Sequence, residues 1–356
     1  MRIEHHADGV SVANARCIRR GQRGCRQRRR RRQRCVKQQP QLGKKQRGDK
    51  NTQRKIADKS SAQFLEIDIQ HHFCSFDYKF FISEFSGHFL TLPQKAADEG
   101  FTHFIAVGGD GTLNEVVNGI INSFKTEEGC DWAKIKEIKI GILPSGSGND
   151  FVKNLGYKTL DELKSLINRD SSGLVDVGFA EYLDRGMNKA ERFFINVSDV
   201  GIGGEVVINK EKLPMALPGE VNYFLAIVST FLTYKKKLIK VKAKEFNWEG
   251  TVLNFVIANA KYFGNSIGIA PHAEISDGKF AITNIGNISL KDYFMNIGTA
   301  KKCKKIIHPE VFYTESEELL IENADKRPLT IDMDGEFIGY APVKFTCLKQ
   351  KLNFLQ

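Results

Sequence analysis

The chain lacks an apolar run long enough to cross a membrane. Its most hydrophobic stretch, YFLAIVSTFLTY at 223–234, is twelve residues long, whereas a membrane-spanning helix needs roughly 18 to 20. The N-terminus also lacks the apolar core of a secretion signal. These absences argue against a membrane-spanning or exported protein. They favour a cytoplasmic protein in which residues 223–234 form a buried helix.

Paired cysteines are absent as well. The seven cysteines are scattered along the chain, and no two of them form a Cys-x-x-Cys pair. The sequence therefore gives no sign of a zinc site or a redox centre. Reduced thiols in a cytosolic protein are the simplest interpretation.

Acidic residues are scarce in residues 1–60, which hold 20 of the 53 lysines and arginines but only 4 of the 42 aspartates and glutamates. This segment carries +16, whereas the rest of the chain has 33 basic and 38 acidic side chains, or −5. Residues 1–62 contain few aromatic or branched aliphatic side chains, so we expect a disordered basic tail. Such a tail could contact RNA or anionic lipid, or be a solvated or artefactual extension. Elsewhere the charge does not indicate nucleic-acid binding.

The pattern of predicted secondary structure changes near residue 175. Before that point, short apolar strands alternate with helical patterns, which is typical of a parallel sheet covered by helices. The strands predicted there are residues 78–82, 102–107 and 138–143. After it come many short strands and turns, with helical segments near 221–234 and 290–302. We therefore predict two domains, an α/β domain at 63–174 and a largely antiparallel β domain at 175–356.

Three glycines surround an aspartate in GGDGTLNE, residues 108–115, which follows the predicted strand 102–107 and opens a helix. Glycines let the backbone turn sharply and bring its N–H groups against a phosphate. The N-terminus of the helix adds about half a positive charge. Asp110 would repel that phosphate unless a cation lay between them, so its carboxylate indicates a bridging Mg²⁺.

A second loop, PSGSGNDF at residues 144–151, follows the strand predicted at 138–143 in the same way. Open α/β sheets bind ligands at the carboxyl ends of their strands, so we expect the two loops to face each other across one crevice. Neither loop matches the phosphate-binding pattern GxxxxGK[ST] or the dinucleotide pattern GxGxxG.

Together the two loops resemble those in the catalytic domain of diacylglycerol kinase and sphingosine kinase type lipid kinases. Further motifs follow in family order over most of residues 78–350. They are VDVG at 175–178, FINV at 194–197, YFG at 262–264, APHA at 270–273, DG at 277–278, HP at 308–309 and MDGE at 333–336. The resemblance implies an ATP- and Mg²⁺-dependent kinase of membrane lipids. Its active site would lie between an α/β nucleotide-binding domain and a β-sandwich domain that binds the lipid.

The resemblance also implies roles for individual residues. Asp334 would be the catalytic base that accepts the proton of the lipid hydroxyl, and Asp110 would hold the Mg²⁺-nucleotide. Asp176 and Asp277 would join Asp110 in a network of Mg²⁺ and water. The residues expected around the nucleotide are Gly108, Gly109, Gly111, Thr112, Glu115, Ser145, Gly146, Ser147, Asn149 and Asp150.

Several alternatives remain open at this point. NAD kinases and phosphofructokinases also contain Gly-Gly-Asp-Gly, so the acceptor could be a soluble molecule. A degenerate kinase fold could instead only bind nucleotide, lipid or, through the tail, RNA. Asp277 and Asp334 each precede a glycine and could be exposed turns, and Glu115 could orient the Asp110 loop. Residues 221–232 could line an acyl slot or pack in the core. A lipid substrate implies contact with the membrane surface, and a homodimer stays open.

One family element is missing from the sequence. Family members begin with a strand that ends in an Asn-Pro-x-Ser-Gly type loop, and nothing like it precedes Lys79. Without that strand, the sheet would expose an edge and the ATP pocket would lose a wall. We therefore expect either a reading frame altered upstream of about residue 78 or a chain of reduced activity.

Overall fold

The computed structural model describes residues 14–19, 73, 76–85, 87–146, 148–213, 219–325 and 327–356. Most of the predicted tail lies outside the described residues, and so does Ser147 of the second loop. The predicted fold class is confirmed, because an α/β domain is followed by a β-sandwich-like domain with antiparallel sheets.

The first domain is a mixed sheet with helices packed on it. Its strands are β1 (Asn14–Arg19), β2 (Asp77–Ile82), β3 (His103–Gly108) and β6 (Lys139–Pro144), with a separate short hairpin of β4 (Lys125–Thr126) and β5 (Gly129–Cys130). Its α-helices are α1 (Leu92–Asp98), α2 (Asp110–Ser123), α3 (Trp132–Glu137) and α4 (Leu160–Arg169). Strands β3 and β6 are parallel neighbours. Helices cover the sheet, which accounts for the apolar runs in both strands.

Strand β1 corrects one expectation. It lies between β2 and β3 and pairs antiparallel with both. The edge of β3 that we expected to be exposed is therefore covered by backbone from the segment that we predicted to be disordered. The sequence NARCIR has no strong strand pattern of its own, so its pairing depends on the free edges of β2 and β3.

The second domain is a large antiparallel sheet. Its strands are β7 (Gly173–Asp184), β8 (Lys189–Phe194), β9 (Val197–Gly201), β10 (Lys237–Ala243), β11 (Asn247–Val252), β12 (Asn254–Ala258), β13 (Tyr262–Phe263), β14 (Ile267–Gly268), β15 (Phe280–Ile285), β16 (Val311–Ser316), β17 (Glu318–Asn323), β18 (Thr330–Met333) and β19 (Glu336–Phe354). The main path runs β16-β15-β12-β9-β18-β19, and β13 and β14 form a separate hairpin.

Three helices cover one face of this sheet: α5 (Ile202–Lys212), α6 (Gly219–Thr233) and α7 (Leu290–Lys301). They bury a shared cluster of Ile202, Val206, Ala226, Leu253, Ile288 and Val311. The helices predicted near 221–234 and 290–302 are thus present, whereas α5 was not predicted. We expected the first of them to be buried, but Phe224 and Leu232 on α6 are exposed. No helix among the described residues is both long enough and apolar enough to span a bilayer.

The end of β19 returns to the first domain and pairs in parallel with β6. Leu352, Phe354 and Leu355 are fully buried in the first domain's core. The Phe354 ring lies 5.0 Å from that of Phe151. Residues 352–355 therefore complete the core of the first domain. The division at residues 174 and 175 stays a prediction.

Candidate active site

The two glycine loops meet at the carboxyl edge of β3 and β6. The Ser145 N–H donates to the Gly108 carbonyl at 3.0 Å. The loops also touch backbone to backbone, since a Cβ atom on Gly146 would lie only 2.5 Å from the Gly109 Cα. This approach requires glycine at position 146. Thr112, in the first turn of α2, packs against Gly108.

Asp110 is the first residue of α2 and ties the two loops together. Its carboxylate accepts hydrogen bonds from the backbone N–H groups of Asp150 and Phe151, each at 2.9 Å. Burial raises the pKa of Asp110, and these two N–H groups offset part of that rise. The side chain is therefore held in one orientation beside the N-terminus of α2.

The second loop is shaped by its own side chains. Asn149 has a φ of 50°, in the left-handed region that asparagine tolerates. Its Oδ1 accepts from the Gly146 N–H at 3.1 Å, and its Nδ2 donates to the Gly146 carbonyl at 2.6 Å. Ser145 and Gly146 are left exposed at the tip of the loop. The backbone there is available to a ligand.

Asp150 connects this loop to the second domain. Its carboxylate is buried and accepts from the backbone N–H groups of Asn265 at 3.0 Å and Ser266 at 2.8 Å. Lys153 Nζ donates to Asp150 Oδ1 at 2.5 Å and to Ser266 Oγ at 2.6 Å. Asp150 thus fixes the position of residues 262–266 against the second glycine loop, as well as the shape of its own loop.

Asp334 lies in a two-residue hairpin turn between β18 and β19. Asp334 and Gly335 have φ values of 50° and 86°, the pattern of a type I′ turn, which Asp-Gly favours. Residue 334 as a whole is half-buried because the turn backbone lies at the surface. Its carboxylate is enclosed, and this burial raises its pKa to about 6. Residues 334 and 335 therefore form a hairpin turn, as the alternative interpretation held, but the Asp334 carboxylate points inward instead of being exposed.

Three hydrogen bonds hold the Asp334 carboxylate. It accepts from the Val197 N–H at 3.0 Å, the Ile195 N–H at 3.4 Å and Asn114 Nδ2 at 2.6 Å. These donors favour the ionised form and offset part of the effect of burial on its pKa. Because Asn114 lies on α2, Asp334 is joined directly to the helix that begins at Asp110.

We predicted no role for Asn114 or Arg192. Arg192 Nη2 donates to Asn114 Oδ1 at 2.9 Å and forms an ion pair with Glu336 at 2.8 Å. Asn114 is buried on α2, four residues after Asp110 and four before the buried Asn118. A buried asparagine at that spacing was the available signal, since buried amides need hydrogen-bond partners. Nothing in the local sequence points to Arg192.

Asp176 and Asp277 lie beside each other but do not contact the Asp110 carboxylate. Asp176 is fully buried, and its two oxygens accept from the N–H groups of Gly278 and Gln350 at 2.6 Å each. Asp277 accepts from the Lys279 N–H at 3.0 Å. Over the described part of the chain, no three His, Cys, Asp or Glu side chains converge on a point. A magnesium site shared by Asp110, Asp176 and Asp277 therefore stays a prediction, and their carboxylates do not form a cluster.

Glu115 points away from the two loops. Its Oε1 accepts from the Gly87 N–H at 3.1 Å, which ties α2 to the segment before α1. Gly87 has a φ of 81°, so this bond supports a backbone conformation that favours glycine. A nucleotide contact by Glu115 stays a prediction.

Two domain families match the chain in sequence. The diacylglycerol kinase catalytic domain matches residues 52–180. The YegS C-terminal NAD kinase beta sandwich-like domain matches residues 198–356. Between them they include the two glycine loops, the Asp150 contact and the Asp334 turn.

Relatives cover most of the chain. The diacylglycerol kinase of Staphylococcus carnosus strain TM300 is 26% identical over 290 residues, covering 81% of this chain and 87% of that protein. The diacylglycerol kinase of Bacillus subtilis strain 168 is 24% identical over 262 residues, covering 73% and 79%. A crystal structure of a diacylglycerol kinase from Bacillus anthracis strain Sterne shares the fold, with a TM-score of 0.52 at 18% identity over 77% of this chain and 82% of that one. The chain therefore contains the diacylglycerol kinase catalytic domain followed by the YegS C-terminal domain, and it is a lipid kinase similar over most of its length to the diacylglycerol kinases of these bacteria.

Proposed function

We propose that the protein transfers the γ-phosphoryl group of ATP to a hydroxyl group of a membrane lipid. Diacylglycerol is the first candidate acceptor and a sphingoid base the next. The observation that carries the proposal is the hydrogen bond from Asn114 to Asp334. It joins a buried carboxylate to the helix that begins at Asp110 in the first glycine loop. The relatives named diacylglycerol kinase support the choice of acceptor, and the reaction would belong to phospholipid metabolism.

The glycine loops would bind the nucleotide phosphates. Their backbone N–H groups and the N-terminus of α2 are suited to anions. Asp110 fits a role in holding Mg²⁺, because Mg²⁺ is commonly bound by one carboxylate together with phosphate and water oxygens. Among the described residues, Asp110 Oδ2 accepts a single N–H, that of Asp150. A bound Mg²⁺ would neutralise phosphate charge. Asp176 fits less well, since both of its buried oxygens already accept N–H groups.

Asp334 would act as the general base. As the lipid oxygen bonds to phosphorus and the bond to ADP breaks, the hydroxyl proton would pass to the Asp334 carboxylate. A pKa of about 6 keeps this carboxylate ionised at neutral pH and makes it more basic than an exposed aspartate. Asn114 and the N–H groups of Ile195 and Val197 would keep it oriented.

An acceptor screen tests the proposal. The full chain is incubated with labelled ATP, Mg²⁺ and, in turn, diacylglycerol, sphingosine and NAD. We expect lipid phosphorylation, and we expect Asp334→Asn to lower turnover by about 100-fold or more. Asp184→Asn is the matched control, because Asp184 also lies in a hairpin turn but faces solvent. Equal turnover of Asp334→Asn and the unchanged protein, or phosphorylation of NAD alone, would reject the proposal.

A further inference from the structure

The outward side of helix α6 is apolar. Its exposed side chains include Val221 (43% exposed), Phe224 (51%), Leu225 (39%) and Leu232 (73%). Their spacing of three, four and seven residues places them on one side of the helix. The opposite side, with Ala226, is buried against the sheet. A helix that is apolar on its solvent side as well as its core side is unusual for a water-facing surface.

Helix α7 extends this surface. Phe294 is 43% exposed and Met295 is 69% exposed. The Phe294 ring lies 6.0 Å from that of Phe224, so the two helices form one continuous outer surface. Below it, Phe231 and Tyr293 pack at 5.5 Å. We call Val221, Phe224, Leu225, Leu232, Phe294 and Met295 the apolar face.

Lysines accompany the apolar face. Lys291 and Lys301 are exposed on α7, and Lys302 is exposed directly after it. Lys304 and Lys305 come next, and Lys235 and Lys236 lie just after α6. Residues 202–237 and 286–310 together carry ten lysines and five carboxylates, a net charge of +5, although residues 61–356 as a whole carry −5. Positive charge is thus concentrated around these helices.

We propose that the apolar face docks the protein on a bilayer that contains anionic lipid. Half-exposed phenylalanines would enter the boundary between headgroups and acyl chains, as the apolar side of an interfacial helix does. The lysines would lie at the level of the headgroups, where each is attracted by the negative surface potential. The acceptor class comes from the proposed function, whereas the docking surface stands on exposure and charge.

The same face fits a second copy of the chain less well. A symmetric dimer would bring the two lysine clusters together, because both copies contribute the same patch. Like charges at such a junction are unfavourable. A bilayer of anionic lipid supplies both the apolar layer and the opposite charge.

Helix α6 reaches the segment that packs on the second glycine loop. Tyr223, on the side of α6 next to the apolar face, approaches Gly264, where a Cβ atom would lie 3.0 Å from the Tyr223 hydroxyl. Gly264 belongs to the segment that Asp150 holds through Asn265 and Ser266. A lipid drawn from the docked bilayer would therefore have a short path to the site, and its acyl chains could stay in the membrane.

The first test measures penetration without any enzymatic activity. Full-length Phe224→Trp and Phe312→Trp variants are mixed with vesicles that contain brominated phosphatidylglycerol. Phe312 is a matched control because it is 57% exposed but lies on β16, where its neighbours Val311 and Tyr313 face the helices and it points away. We expect the brominated lipid to quench about half of the fluorescence that the new tryptophan adds in Phe224→Trp, and little of it in Phe312→Trp. The basic N-terminal segment is present in both variants, so equal quenching would overturn the proposal.

The second test uses activity. Phe224→Ser combined with Phe294→Ser should lower phosphorylation of vesicle-embedded diacylglycerol by about tenfold. It should leave phosphorylation of short-chain dioctanoylglycerol, supplied as dilute monomer without vesicles, unchanged, and Phe312→Ser should change neither. Activity on neither lipid in the unchanged protein would reject the proposed function, while the quenching result would still decide the docking surface. If the double variant converted a dimer into a monomer and Phe224→Trp were not quenched, the apolar face would be assigned to a second copy of the chain.

Discussion

Asn114 and Asp334 are 220 positions apart in the chain, and a hydrogen bond of 2.6 Å joins Asn114 Nδ2 to Asp334 Oδ2. The bond runs from the helix that starts at Asp110 to the hairpin turn of the second domain. It therefore couples the geometry of the first glycine loop to the position of the Asp334 carboxylate.

Replacing Asn114 should shift the pH dependence of the reaction. Asn114→Leu keeps a similar volume but removes a donor that lowers the Asp334 pKa. A hydrogen bond to a charged group contributes about 1.5–3 kcal/mol, so the apparent pKa of the base should rise from about 6 by about one unit or more. Activity should be lost most below neutral pH and partly recover above pH 8, as a pH–rate profile would show. Asn122→Leu, on the exposed side of the same helix, should leave the profile unchanged.

Separating the two glycine loops should weaken nucleotide binding. Gly146→Ala places a Cβ atom 2.5 Å from the Gly109 Cα, closer than backbone atoms allow. The loops must move apart, so we expect the KM for ATP to rise about tenfold or more while the protein stays folded. Gly156→Ala is the control, since nothing lies within 4 Å of its Cβ position. Unchanged nucleotide affinity in Gly146→Ala would mean that the contact between the loops does not matter for binding.

The contact between Asp150 and the second domain should matter for stability and local order. Asp150→Ala leaves the Asn265 and Ser266 N–H groups and Lys153 without their buried acceptor. We expect a loss of about 2–4 kcal/mol in the free energy of unfolding. Amide exchange should also become faster at Asn265 and Ser266, and mass spectrometry can follow it. Asp98→Ala, which removes an exposed carboxylate, should change neither quantity.

Much of the nucleotide side could be predicted from sequence, because its determinants are local. Strands β3 and β6 show as apolar runs, and glycines mark the loops that follow them. The Asp334 turn could also be predicted, since Asp-Gly after a strand favours a type I′ hairpin. Parallel pairing of the two strands then brings the loops together.

The contacts between distant parts of the chain could not be predicted. The link from Arg192 through Asn114 to Asp334 depends on how the domains pack. The spacing of Asn114 after Asp110 marks one member of the link but not its partners. The return of Phe354 into the first core likewise depends on the path of β19. Strand β1 pairs because two edges are available, so its own residues carry little signal. Each of these features is decided by tertiary contacts rather than by local propensity.

The register of the second sheet creates one more non-local pair, which leads to a prediction about stability. Asp199 on β9 lies directly opposite Asp332 on β18. Both are buried, and neither oxygen of Asp199 has a hydrogen bond of good geometry among the described residues. Burial raises the pKa of Asp199 to about 7, and the nearby Asn254 side chain and Gly203 N–H offset this only in part. Burial first and the Asp199 charge second raise the pKa of Asp332.

An acid whose pKa is higher in the folded state than in the unfolded state binds its proton more tightly when folded. Stability from this source is therefore present at low pH and is lost as the pH rises from about 4 to about 7. Asp199→Asn removes the ionisation but keeps the shape, so it should raise the free energy of unfolding at pH 8 by about 1–3 kcal/mol and by about a third as much at pH 5. Asp184→Asn is the control, because the pKa of this exposed group is lowered instead. Urea denaturation at both pH values would measure the difference, and an Asp199→Asn variant that is less stable at pH 8 would show that the charged pair is held by a partner of opposite charge.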